Sequence, residues 1–392
     1  MSNTLLTIDK ITKECLRLAH EKATFLGTIN RQFDDSFGRS DGKIGDTLRI
    51  RLPSQYTRRQ GSRVMDVQDS EQQKTTLVVA TQDGVDMRFN SRELTLDLDN
   101  FSKVHLEPAM ATLISGVESD VLQGVTKLVY NVAGTAGTPP ADLVAVGAAR
   151  AKLNQQLAPK DGNRAIQMDS VTMGTLVNGL KGLFQDSEQI KEQYREGMIG
   201  RTAMADFYEN ERVWTMANGS DVTTVTINDA SIATGDSGFT TAGGSFAVGM
   251  VFTIANVFDV HPETKAAYSH LKQFTILTVN GNDITFSPAY HSTGPKQNVS
   301  VLPTNGAALV FIGAASTSYV QNLMYHRDAF TFATADLPLM ADAAKCSVQQ
   351  YDNISLRVWQ ASDIRNDELL TRIDLLYGWS AIRPEWACRI TN

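Results

Sequence analysis

Residues 47–63 read TLRIRLPSQYTRRQGSR. Thr47 to Leu52 alternates polar and apolar side chains, the period-two pattern of a strand. The whole stretch carries five arginines, Arg49, Arg51, Arg58, Arg59 and Arg63, and no acid. Residues 64–75 stay polar with few large apolar side chains, and 76–81 (TLVVAT) read as a returning strand. Gly38, Asp41, Gly42 and Gly45 mark a turn just upstream. Residues 38–77 are therefore expected to form a long two-stranded ribbon with a basic, poorly cored tip. Such a ribbon buries too little apolar area to be stable alone, so it needs a partner surface.

The next segment offers one. Val85, Met87 and Phe89 alternate as a strand, and Asp83, Asp86, Glu93, Asp97 and Asp99 make the region acidic around Arg88 and Arg92. Two readings stand. Each charged stretch is a solvated face, or the basic ribbon of one subunit lies over the acidic strip of the next. On the second reading the intersubunit contact candidates are Arg49, Arg51, Arg58, Arg59, Arg63, Asp83, Asp86, Asp97 and Asp99. Rim ion pairs contribute roughly 0 to 1 kcal/mol each, but they favour correct register and orientation.

Outward from there, residues 4–30 carry an apolar stripe through Leu5, Ile8, Ile11, Cys15, Leu18 and Ala19. The spacing predicts an amphipathic helix, either an ordinary core helix or an arm on a neighbour. Pro108 to Val129 is the clearest helix. Pro108 suits the first turn, and Met110, Leu113, Ile114, Val117, Val121, Val125 and Leu128 form one stripe. Helices over 142–157 and 172–184, with a short strand over 164–168, suggest an α/β region. From Asn218 to Gly313 the chain turns rich in Thr, Gly, Asn and Val. Short strands are read at 222–227, 250–255, 274–279, 284–287 and 309–312, with Asn280-Gly281-Asn282 as a hairpin turn. This reads as a small β-barrel inserted into a host domain. Strands over 349–358 and 371–377 return to the host.

The chain has 392 residues and a formal net charge of −7. An acidic protein is poorly suited to grip phosphates, so direct DNA readout is not expected. Cys15, Cys346 and Cys388 fit no zinc or redox spacing. No signal peptide or membrane-length apolar run is read. No phosphate loop, H-E-x-x-H or nucleophile elbow occurs, and His261 and His270 match no metal template. Catalytic, metal and cofactor-binding residues are therefore expected to be none, and no cofactor is expected. A soluble α/β enzyme with a β-insertion is left without residues to rest on; an accessory binding or structural module is a further reading.

Three segments carry a resemblance. They are Tyr194 to Arg201 with Ala205 to Tyr208, Asn322 to Phe330 with Ala335 to Pro338, and Leu376 to Glu385. In this order the chain resembles the coat proteins of tailed double-stranded DNA phages, in particular the Salmonella short-tailed phage class with an inserted β-domain. The resemblance implies an α+β fold of the Hong Kong 97 capsid type. Its expected parts are an N-terminal arm (1–37), an extended loop (38–77), a peripheral domain with a spine helix (78–133), an axial domain (134–216), the inserted β-domain (217–313) and a return through the host (314–392). It implies self-assembly into hexamers and pentamers, with a scaffolding protein, a portal protein and a decoration protein as further partners. It also implies enclosed DNA, no membrane, and a place in the virion after assembly in the bacterial cytoplasm.

Overall fold

The computed structural model describes residues 8–31, 47–59, 61, 65, 67, 73–90, 105–180, 200–223, 225–340 and 345–392. Among these the architecture is α+β, with helices set against several separate sheets. The chain divides into two compact units.

The first unit gathers residues 1–50, 74–121 and 330–382. Its sheet runs in the order Phe330–Ala335, Glu368–Ala381, Ile354–Asp363, Lys345–Tyr351, and Thr81–Asn90 pairs along Glu368–Ala381 on the far side. The helix Ile8–Lys22 lies on the strands Lys345–Tyr351 and Ile354–Asp363. Ile11, Cys15, Leu18 and Ala19 of the sequence stripe are buried on it, as are Thr12 and Leu16. Asp9 accepts the Ser347 hydroxyl at 2.6 Å. The described N-terminal helix thus packs on the sheet of its own chain.

The stretch 349–358, read as one strand, is two. Lys345–Tyr351 and Ile354–Asp363 form a hairpin closed by the pair Tyr351↔Ile354. The turn residues Asp352 and Asn353 both have positive φ, at 47° and 59°. Two left-handed residues match the twist of a two-residue hairpin, and no glycine marked the place.

The second unit gathers 51–73, 122–329 and 383–392. Its host part is a mixed seven-stranded sheet centred on Ser318–His326, flanked by Ala387–Thr391 and Arg164–Met168. Val146, Ala149 and Leu153 of the helix Leu143–Gln155 and Met173 and Leu176 of Ser170–Leu180 pack with Ile166, Met168, Met324 and Ile390 of this sheet. Asp142 starts the first of these helices by accepting the Val144 amide at 2.9 Å. The second is described as Ser170–Leu180, and the remainder of the 172–184 expectation lies outside the described residues.

The insertion is an antiparallel five-stranded sheet in the order Leu309–Phe311, Val251–Val260, Ala267–Asn280, Asp283–Ser287, Gly238–Thr240. Phe239, Phe252, Phe274, Phe286 and Tyr290 fill its core. Among the described residues of the expected strand at 222–227, the pairing consists of single bridges, Thr226↔Ala308 and Ile227↔Thr241. Consecutive residues there pair with opposite edges of the sheet, so no ladder builds up. The segment instead joins those two edges, in keeping with the barrel-like reading. The Gly281-Asn282 turn sits where the sequence placed it, inside the pair Asn280↔Asp283. The chain leaves the host at Thr215–Ala217 and re-enters at Ser318, and these ends pair directly as Ala217↔Ser318.

Candidate assembly surfaces

The ribbon begins as the two-stranded sheet Thr47–Arg51 with Lys74–Val78. Just beyond, the Leu52 amide donates to the Gln73 carbonyl at 2.9 Å. Arg49, Arg51, Arg58 and Arg59 are all exposed. So are Tyr56, Met65 and Val67, the last two at 81% and 77%. Arg63 lies outside the described residues.

The acidic candidates divide. Asp83 and Asp86 lie on Thr81–Asn90, whereas Asp97 and Asp99 lie outside the described residues. Asp83 accepts the Tyr377 hydroxyl at 2.9 Å. Burial, reinforced by this carboxylate, pushes the Tyr377 phenol up. Asp86 stands exposed, 3.8 Å from Arg372 of the same chain, while Arg88 reaches Glu368 at 3.3 Å. The two described acids therefore have neighbours within their own subunit. On the same sheet Asp374 is fully buried and held by Arg357 at 2.6 Å and Arg372 at 2.7 Å.

Two polar clusters escaped sequence reading. Glu118, on the helix Glu107–Leu128, is fully buried. It accepts the Thr24 hydroxyl at 2.7 Å, the Phe25 amide at 2.9 Å and the Thr24 amide at 3.1 Å. A buried carboxylate is tolerable when its lone pairs are met by donors. Here it anchors the N-terminal segment and faces the first turn of the short helix Phe25–Thr28.

The second cluster joins insertion and host inside the second unit. Arg389, fully buried on Ala387–Thr391, donates to the Gly249 carbonyl at 2.6 Å, the Lys127 carbonyl at 3.1 Å and the Thr275 hydroxyl at 3.0 Å. Thr275 donates to the same Lys127 carbonyl at 2.9 Å. One exposed-carbonyl end of the helix Glu107–Leu128 is thereby met from two distant segments. Gly249 has φ +92°, and a Cβ there would stand 2.5 Å from the Trp214 ring. Gln273 bonds both the amide and the carbonyl of Val132, at 2.9 and 3.1 Å, and accepts Lys152 at 2.7 Å.

Further along the joint, Asp259 accepts Lys272 at 2.8 Å and Gln156 at 3.0 Å. Burial opposes its charged form, yet the Lys272 ammonium, His270 and the Val260 amide hold its carboxyl down to about 2. Burial pushes the Lys152 ammonium down, against the pull of Asp259. No group of three or more His, Cys, Asp or Glu side chains placed to hold a metal exists among the described residues.

This is a molecule whose distinctive chemistry lies in joints and outward surfaces, the class of a structural subunit. Residues 40–389 match the family model described as P22 coat protein, gene protein 5. The chain belongs to the P22 coat protein family: it is a phage coat protein, a component of the virion shell. No curated protein matches it by sequence. Among solved structures it is similar to one from Mycobacterium phage Che8, at 11% identity and TM-score 0.49, covering 94% of this chain and 90% of that one. It is also similar to the capsid of an empty GTA particle, at 9% identity and TM-score 0.46, covering 94% and 89%. The acid-stable capsid of Helicobacter pylori bacteriophage KHP30 follows at 12% identity and TM-score 0.43, covering 88% and 85%. The assignment rests on the family match.

Proposed function

We propose that this chain tiles into an icosahedral shell of hexamers and pentamers, in a Hong Kong 97 type arrangement, around packaged double-stranded DNA. The observation that carries this is the match to a coat protein family over residues 40–389. The basic ribbon exposes Arg58, Arg59, Tyr56, Met65 and Val67, a surface that a neighbouring copy can cover. In this reading the ribbon of one copy, through Arg49, Arg51, Arg58, Arg59 and Arg63, crosses the acidic strip of a neighbour. Asp83 and Asp86 reach that contact by sharing themselves with Tyr377 and Arg372, and Asp97 and Asp99 extend it. The DNA is enclosed without base-specific contacts. A scaffolding protein, a portal protein and a decoration protein are its further partners, and assembly takes place in the bacterial cytoplasm. The parts follow the domain bounds given by the resemblance, from the arm at 1–37 to the return at 314–392.

The test is to express the full chain and examine it by sedimentation and negative-stain microscopy. Megadalton particles or capsomers are expected. A small fixed oligomer at every concentration sinks the reading. Arg58→Glu with Arg59→Glu should impair particle formation while leaving the folded subunit intact by circular dichroism. Normal shells from that variant would disprove the ribbon contact alone.

A further inference from the structure

Four Asn-Gly steps lie among the described residues: Asn178-Gly179, Asn218-Gly219, Asn280-Gly281 and Asn305-Gly306. At such a step the glycine nitrogen can attack the asparagine side-chain carbonyl carbon, because glycine has no Cβ to hinder the approach. The reaction needs the glycine amide free to lose its proton and the asparagine free to turn. The fold withholds one or both at three of the steps. Gly179 lies inside the helix Ser170–Leu180, where amides are committed to carbonyls four residues back. Asn218 is buried, and its side-chain amide donates to the Ile312 carbonyl at 3.0 Å and the Ala314 carbonyl at 3.1 Å. The Gly219 amide is turned to the Met250 sulfur at 3.4 Å. Asn305 is exposed, but the Gly306 amide donates to the Ile227 carbonyl at 2.8 Å.

The fourth step is open. Asn280 and Gly281 are both exposed at the tip of the hairpin formed by Ala267–Asn280 and Asp283–Ser287. The Gly281 amide meets no backbone carbonyl among the described residues, and a Cβ on Gly281 would meet nothing within 4 Å. We infer that Asn280 is a self-modification site, converted to aspartate and isoaspartate by its own chain and water. The Gly281 nitrogen gives up its proton and bonds to the Asn280 side-chain carbonyl carbon. The side-chain carbon–nitrogen bond breaks, and ammonia leaves with that proton. Water then opens the resulting succinimide at either carbonyl, and no oxidant or reductant is needed. The new carboxylate arises on the residue paired with Asp283, and like charges directly opposite destabilise a strand pair. Asp283 also accepts the Thr240 hydroxyl at 2.5 Å, so the repulsion bears on the edge strand Gly238–Thr240 as well. Isoaspartate further adds a methylene to the main chain and spoils the two-residue turn. The insertion thus carries a one-way mark of its age, independent of the shell reading.

The test holds the full folded chain in mildly alkaline buffer, samples it over time and maps the digested peptides by mass spectrometry. A protein isoaspartate methyltransferase labels the iso form. Asn280 should convert about tenfold or more faster than Asn178, Asn218 or Asn305. In denaturant the four rates should draw together, because the fold then protects none of them. Asn280→Gln should remove the mark from its peptide. Asn280 left intact while another step reacts, or four equal rates in the folded chain, overturns the inference. Asn280→Asp, which supplies the charge directly, should speed amide hydrogen exchange over residues 279–284 by about tenfold; unchanged protection there overturns the loosening of the hairpin.

Discussion

The joint around Arg389 and the ribbon around Arg58 use the same residue type in opposite ways. Arg389 is fully buried and spends its donors on Gly249, Lys127 and Thr275 of its own chain. Arg58 and Arg59 stand in solvent on a segment that has little apolar surface of its own to cover. A guanidinium enclosed by the subunit stabilises the subunit; one exposed on a ribbon is also open to contact from a neighbour. The difference separates residues that make the building block from residues that join blocks.

The largest expected break in this contrast is Arg389→Leu. It removes the Arg389 donor from the Gly249 carbonyl and leaves the Lys127 carbonyl to Thr275 alone, and a loss of about 2 to 4 kcal/mol is expected, read by denaturant unfolding of the unassembled chain. Next comes acid. The Asp259 carboxyl is held at about 2, below the unfolded value, so its contribution is complete above about pH 4 and is lost as pH falls through 2. About 2 kcal/mol of stability should disappear across that window, and Asp259→Asn should flatten the profile. Tyr290→Phe tests the insertion core from the other side. The Tyr290 hydroxyl is buried with no partner among the described residues, so its removal should leave stability unchanged or raise it by up to about 1 kcal/mol, by thermal melting. Smallest is the ribbon. Arg58→Glu with Arg59→Glu should shift subunit stability by less than about 0.5 kcal/mol while impairing assembly. A large loss of subunit stability there would erase the contrast.

Legibility followed the range of the interactions. The helix Glu107–Leu128 and the Asn280-Gly281-Asn282 turn were written in local pattern, by an apolar stripe and a glycine. The Asp352-Asn353 turn uses the same left-handed geometry without glycine, so two strands were merged into one. Ala267–Asn280 extends well before the 274–279 run because its first half carries Tyr268, His270 and Lys272, which face the host joint and read as polar loop. Glu118 and Arg389 were invisible for a different reason. Their partners lie 94 and 262 residues away, and a single acid in a helix or arginine in a strand carries no mark of them. The ribbon arginines could be found because they cluster in sequence.

The pairing Ala217↔Ser318 has a consequence of its own. The two ends of the insertion sit one strand-spacing apart, about 5 Å, so the host sheet meets the insert as a socket meets a plug. A short turn, or an unrelated domain with close termini, can bridge that gap without moving a host strand. The socket is not blank, however. Arg389 would be left facing an empty seat once Gly249 and Thr275 were gone. A graft at this port therefore needs a second change, Arg389 to an apolar residue, before the shell subunit will accept a new cargo there.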